Sequence, residues 1–326
     1  MIHFDVFNGD ADGICALQQL RLATPRKAPL VTGGKRNIVL LAHVPAVAGD
    51  EVTVLNLSLD RNRKALLGLL ENGVHVRYFD HHFPGPIPEH PGLDAHIETL
   101  PDRGVSLLVD DFLGGRFQTW VVVGTFGDSF DATARWVADP LELNAAQLAT
   151  LRELGICLNY NAYGAYIQNL YFAPDVLFRR LEPYANPFDF IAADTAFETL
   201  RTGYAEDMAR TRGLQPELMD DRYALYILPA DPWARRAGGV LDNRLAHTSA
   251  QRAYALLARG CRKADSWSAC EHLRRWEQAP TPCVVASRTA VAARPLPASI
   301  TSAAPITTNS SNNSSPPSGN LEKALP

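Results

Sequence analysis

Apolar residues gather into five short runs along the chain, Ile2–Phe7, Ile38–Leu41, Val52–Leu57, Val74–Phe79 and Val121–Phe126. Each is rich in Val, Ile, Leu or Phe, the pattern of strands covered on both faces in a parallel sheet. Four further stretches, Gly13–Leu22, Arg63–Glu71, Val105–Phe112 and Asn144–Leu154, read as helices. Alternation of strand and helix predicts an α/β fold built on an open, mainly parallel sheet with right-handed crossovers. Ligands of such sheets sit at the carboxyl ends of the strands.

The residues at those ends are polar. The first run leads into Asn8-Gly9-Asp10-Ala11-Asp12-Gly13, and the third into Leu55-Asn56-Leu57-Ser58-Leu59-Asp60. The fourth leads into Asp80-His81-His82, and the fifth into Gly127-Asp128. Taken singly, each has an ordinary structural reading: a turn, a solvated loop, or a helix N-cap at Asp128. Together, at four strand ends, they point to one site. Carboxylates with imidazoles suit Mn²⁺ or a similar divalent ion. Asp10 and Asp12 alternate in direction, so each can serve a different ion.

These motifs resemble those of the DHH phosphoesterase superfamily, which includes RecJ-type exonucleases, oligoribonucleases and cyclic-dinucleotide phosphodiesterases. Asp80-His81-His82 is similar to the name-giving motif, Gly9–Gly13 to the first motif and Gly127-Asp128 to the fourth. The resemblance covers residues 1–190 and thins towards 258. Asn159-Tyr160-Asn161-Ala162-Tyr163-Gly164 resembles a bacterial subfamily of uncertain substrate. The resemblance implies hydrolysis of phosphodiesters in nucleotides or short single-stranded nucleic acid. It implies a pair of divalent ions, commonly Mn²⁺ with Mg²⁺ as the alternative, that stabilise attacking and leaving oxygens. Carried over residue by residue, Asp10 binds the first ion, and Asp12, His81 and Asp128 the second. Asp80 orients a neighbouring group by hydrogen bonding, and His82 contacts the scissile phosphate.

Two positions depart from the family pattern. Asn8 stands where His or Asp is usual for the first ion. Asn56 stands where a carboxylate bridges both, and an amide offers one neutral acceptor oxygen. Asp60, four residues on, is a candidate substitute, but nothing in the sequence places it in the site. The expectation is therefore an impaired metal-dependent phosphoesterase, the alternative being a non-catalytic metal- or nucleotide-binding remnant.

Composition narrows the picture further. Apolar residues make up 46% of the 326, enough for a sizeable core. Residues 1–258 carry 23 Lys/Arg against 31 Asp/Glu, and residues 259–326 carry eight against four. An acidic body suits cations better than bare phosphates. Five scattered cysteines form no paired spacing, which argues against disulfides or structural zinc. No apolar run approaches the ~18 residues of a membrane span, and the first residues lack a signal peptide. A cytoplasmic protein is expected, without membrane association. Gly33-Gly34-Lys35-Arg36 lacks the spacing of a phosphate-binding loop and reads as a turn before the second strand.

Three regions follow: a DHH-type domain at 1–190, a helical linker with the start of a DHHA1-like α/β domain at 191–258, and a tail at 259–326. A turn at Gly238-Gly239 leading into a helix over Arg244–Leu257 resembles the opening of DHHA1. Past residue 258 the chain turns Arg-, Ala-, Pro- and Ser-rich and ends in a low-complexity stretch. Back-translation of 260–302, shifted by one base, permits the Gly- and Arg-rich pieces of a DHHA1 domain. The tail accordingly reads as a frameshifted or disordered end of a truncated second domain.

Overall fold

The computed structural model describes residues 1–164, 166–248 and 252–258; the tail and its frameshift reading lie outside them. Five parallel strands form the first sheet: β1 (His3–Asn8), β2 (Leu30–Gly33), β3 (Glu51–Leu55), β4 (His75–Asp80) and β5 (Leu93–Ile97). Their order is β2-β1-β3-β4-β5. The register sets Phe4 beside Val52 and Val52 beside Val76. Side chains alternate across this register. Phe4, Val6, Val52, Val54, Val76 and Tyr78 pack on one face with Leu66, Leu69 and Leu70 of α2 (Leu59–Glu71). Phe7, Leu55 and Phe79 pack on the other face.

That second face is covered by helices. α1 (Ala11–Ala23) lies on the sheet, followed by α3 (Val105–Leu113), α4 (Gln118–Gly127), α5 (Asp131–Ala138) and α6 (Ala145–Ala162). α7 (Pro174–Leu181), α8 (Pro187–Ala193) and α9 (Thr195–Thr211) complete this layer. A smaller sheet follows, of β6 (Leu218–Met219), β7 (Tyr223–Leu228) and β8 (Ala253–Ala258). β7 and β8 are parallel and joined through α10 (Pro232–Thr248), while β6 is antiparallel to β7.

Three expectations need correction. Val121–Phe126 is part of α4, not a strand. Its residues are buried all round, from Trp120 to Gly127, so the run has no polar face to give a helical period. Ile38–Leu41 is not a strand either; Leu40 and Leu41 plug the α2 face, and the edge strand is Leu30–Gly33. The last helix begins at Pro232, runs through Gly238-Gly239, and gives way to β8 instead of continuing to Leu257.

The strand order reverses direction between β1 and β3, since the chain winds to β2 on one side and to β4 and β5 on the other. Such a switch point opens a crevice at the carboxyl ends of the two strands. Asn8, the last residue of β1, and Asn56, directly beyond β3, flank it.

Candidate metal centre

Asp10 caps α1: its Oδ1 accepts from the Gly13 amide at 2.9 Å. The turn is tight enough that a Cβ on Gly13 would lie 2.1 Å from the Asn8 carbonyl oxygen. Two residues on, Asp12 sits fully buried in the first turn of the same helix. Its two oxygens accept from the backbone N–H groups of Val105 and Ser106, at 2.6 and 2.8 Å. The carboxylate is thus held on the N-terminus of α3, where unpaired amides and the helix dipole favour negative charge. Gly104 makes the approach fit, because a Cβ there would stand 2.7 Å from Asp12 Oδ1.

β4 delivers the remaining imidazoles. Asp80 is fully buried and accepts from the amides of His81 and Leu59, at 2.9 and 3.2 Å. Its Oδ1 also pairs with His82 Nδ1 at 2.5 Å, so Asp80 orients His82. His81 Nδ1 lies 2.9 Å from the carbonyl oxygen of Arg103. A carbonyl only accepts, so Nδ1 carries the proton and Nε2 keeps its lone pair for a ligand. Asp128 comes from the C-cap of α4, not from a strand end. Asp12, His81 and Asp128 each offer one ligand atom, all within 4.8 Å of one another. Two carboxylate oxygens and one imidazole nitrogen are a donor set suited to a divalent ion such as Mn²⁺.

The electrostatics are divided. Burial, then the neighbouring Asp128, push the Asp12 carboxyl up to about 6, and His81 partly offsets them. Burial also opposes ionisation of Asp128, but Lys35 and then His81 outweigh it and hold that carboxyl below its ordinary range. A divalent ion among the three would relieve the repulsion between Asp12 and Asp128.

The Asp10 side of the site is different. Asp10 Oδ2 receives Lys35 Nζ at 2.8 Å, and Oδ1 receives the Asn56 amide Nδ2 at 3.0 Å. A carboxylate only accepts, which fixes the orientation of the Asn56 amide. Asn56 adopts a left-handed φ of 56° and its Oδ1 is buried with no hydrogen-bond partner. Asn8 is spent on backbone: its Oδ1 accepts from the Asp10 amide and its Nδ2 donates to the Lys35 carbonyl, both at 3.3 Å. Asp60 is exposed and faces Arg63, so it does not replace the missing carboxylate. The structure therefore brings Asp12, His81 and Asp128 together and leaves Asn8, Asp10 and Asn56 in a separate hydrogen-bonded group. A single divalent ion fits the first set. The second set does not fit another, because its one carboxylate is already paired with the Lys35 ammonium, whose positive charge opposes a further cation there.

Lys35 is the residue that sequence reasoning missed. Its ammonium also reaches Asp128 Oδ1 at 2.7 Å and Asn159 Oδ1 at 2.9 Å. The turn that carries it follows β2 and is pinned by the Lys35 amide donating to the Ala162 carbonyl at the end of α6. The available signal was a lysine placed directly beyond a strand end, opposite Asn159 of the Asn159–Gly164 motif.

Neither family models nor curated proteins match this chain. Solved structures do. The exonuclease RecJ bound to manganese aligns over 83% of this chain and 80% of its own, at 19% identity and a TM-score of 0.51. RecJ from Thermus thermophilus in complex with Mn²⁺ aligns over 85% of this chain and 47% of its own, at 20% identity and a TM-score of 0.52. A DHH domain from a family of ribosomal proteins aligns over 79% and 72%, at 10% identity and a TM-score of 0.53. The parallel sheet in its observed order, with Asp80 ending β4 and His81-His82 directly after it, thus belongs to a fold that this chain shares with these RecJ and DHH-domain structures.

Proposed function

We propose that this protein is a divalent-metal-dependent phosphoesterase acting on nucleotides or short single-stranded nucleic acid. The observation that carries the reading is the convergence of Asp12, His81 and Asp128 beside the Asp80–His82 pair. The metal, when bound, would polarise a phosphoryl oxygen and lower the pKa of a water. Asp12 and Asp128 would supply the negative charge that retains it, and His81 the nitrogen. Asp80 would keep the His82 ring fixed through Nδ1, so that His82 Nε2 faces the phosphate and donates to a non-bridging oxygen. Asp80 would also stabilise the protonated imidazole as charge builds on that oxygen. Phe83 follows directly and is 77% exposed, a ring on which a nucleobase can stack. The fold shared with the RecJ structures supports the substrate class, and Asn8 and Asn56 support a weaker metal site than a bridging carboxylate would give.

Hydrolysis of bis-p-nitrophenyl phosphate and of a labelled trinucleotide, with and without Mn²⁺, tests this. Turnover should require the metal, fall at least 100-fold in Asp128→Asn and His81→Ala, and fall 10- to 100-fold in His82→Asn. Metal-independent turnover, or activity unchanged by these substitutions, would overturn the proposal.

A further inference from the structure

We infer that Lys35 is a built-in cation that takes the place of a second metal ion, leaving a centre for one divalent ion. This rests on the metal-centre reading above and specifies how many ions that centre holds. The geometry is that of a coordinated cation. Lys35 Nζ is surrounded by Asp10 Oδ2, Asp128 Oδ1 and Asn159 Oδ1, at 2.8, 2.7 and 2.9 Å, one for each of its three protons. Asp128 is shared between this ammonium and the Asp12–His81 cluster, as a bridging ligand is shared between two ions.

Charge agrees with geometry. Asp10, Asp12 and Asp128 carry three negative charges against the one positive charge of Lys35. One divalent ion neutralises what remains; two would leave a surplus of two positive charges in a largely buried site, which low local dielectric penalises. Asn56 completes the logic. Where a carboxylate would repel Asp10 unless an ion lay between them, an amide donates to it directly. Asn56 and Lys35 are thus two halves of one replacement: the amide removes the bridging charge, and the ammonium fills the space that the ion would take. The site of Lys35 is itself prepared. The end of α6 brings Asn159 and the Ala162 carbonyl, and the negative pole of a helix favours a cation there. The ring of Tyr163 lies 5.7 Å from Nζ and adds its negative face.

Titration of the full chain with Mn²⁺ by calorimetry, with electron paramagnetic resonance of the same samples, tests the inference without reference to activity. One Mn²⁺ per chain and the six-line spectrum of an isolated ion are expected. Two per chain with an exchange-coupled spectrum would overturn the role of Lys35 and leave the phosphoesterase reading standing. No binding would overturn both. In the double variant Lys35→Ala/Asn56→Asp, stoichiometry should rise from one to two. A folded double variant that still binds one ion would show that Lys35 does not exclude the second. Should that variant fail to fold, Lys35→Met keeps the aliphatic stem and gives the same readout: a second, weaker Mn²⁺ event is expected, and its absence would count against the inference.

Discussion

Asp12 is gripped by two backbone amides and still binds its proton unusually well, because burial and then Asp128 outweigh the opposing pull of His81. This sets a pH dependence. Its carboxyl rises from 3.8 to about 6 on folding. A raised acid stabilises the fold fully below its unfolded value and loses that contribution as pH rises through the folded one. The metal-free protein should therefore lose melting temperature between pH 4 and 6 relative to Asp12→Asn, and Mn²⁺ should restore it at pH 7. Parallel melting curves for the two proteins across that window would contradict this. At Phe83 the expectation concerns substrate: Phe83→Ala should raise KM for a dinucleotide about 5- to 50-fold, the scale of one lost stacking contact, with kcat little changed. Equal KM for the two would remove the ring from the site. Single residues were unevenly legible in the sequence. Asp12, Asp80 and His81 stood out because each follows an apolar run at a strand end or opens the next helix. Lys35 did not, because its partners lie 25, 93 and 124 residues away and only the fold brings them near.

Among the elements, β1, β3 and β4 were legible from their Val- and Phe-rich cores, as were α1 and α3. α4 was not: the run Val121-Val122-Val123 has strand propensity, but contact with α1 and α6 makes it a buried helix. That packing depends on small residues. A Cβ on Gly155 of α6 would lie 2.3 Å from the Val123 carbonyl and 2.9 Å from the Gly127 amide. Both helices are buried there, so neither yields easily. Gly155→Ala should destabilise the protein by about 1–3 kcal/mol, as overpacked cores do. Because α4 ends at Asp128, it should also weaken Mn²⁺ binding. Urea denaturation beside metal titration checks both; wild-type values for the pair would mean that the helices separate freely.

Over the whole molecule, the first 211 residues and the small sheet meet through a buried polar knot. Asp207 of α9 accepts from Arg236 of α10 at 2.9 Å and from the Tyr160 hydroxyl of α6 at 2.5 Å. The Arg236 guanidinium also lies over the Tyr171 ring at 4.5 Å. Removing one partner of a buried pair strands the other's charge. Arg236→Met should cost about 3 kcal/mol, below the usual upper range because Arg210 still reaches Asp207 at 3.2 Å. A loss under about 0.5 kcal/mol by urea unfolding would mean that solvent already shares the contact. The knot itself was not legible: Tyr160 lies in the Asn159–Gly164 motif, but its partners Asp207 and Arg236 lie 47 and 76 residues further on. No helix among the described residues is long and apolar enough to cross a membrane.

Anomalous diffraction from a crystal soaked in MnCl₂ tests the central claim most directly. One peak is predicted, bound by oxygens of Asp12 and Asp128 and by His81 Nε2, with Lys35 still against Asp10. A peak elsewhere, or full manganese occupancy at Asp10 with Lys35 displaced, would contradict the account.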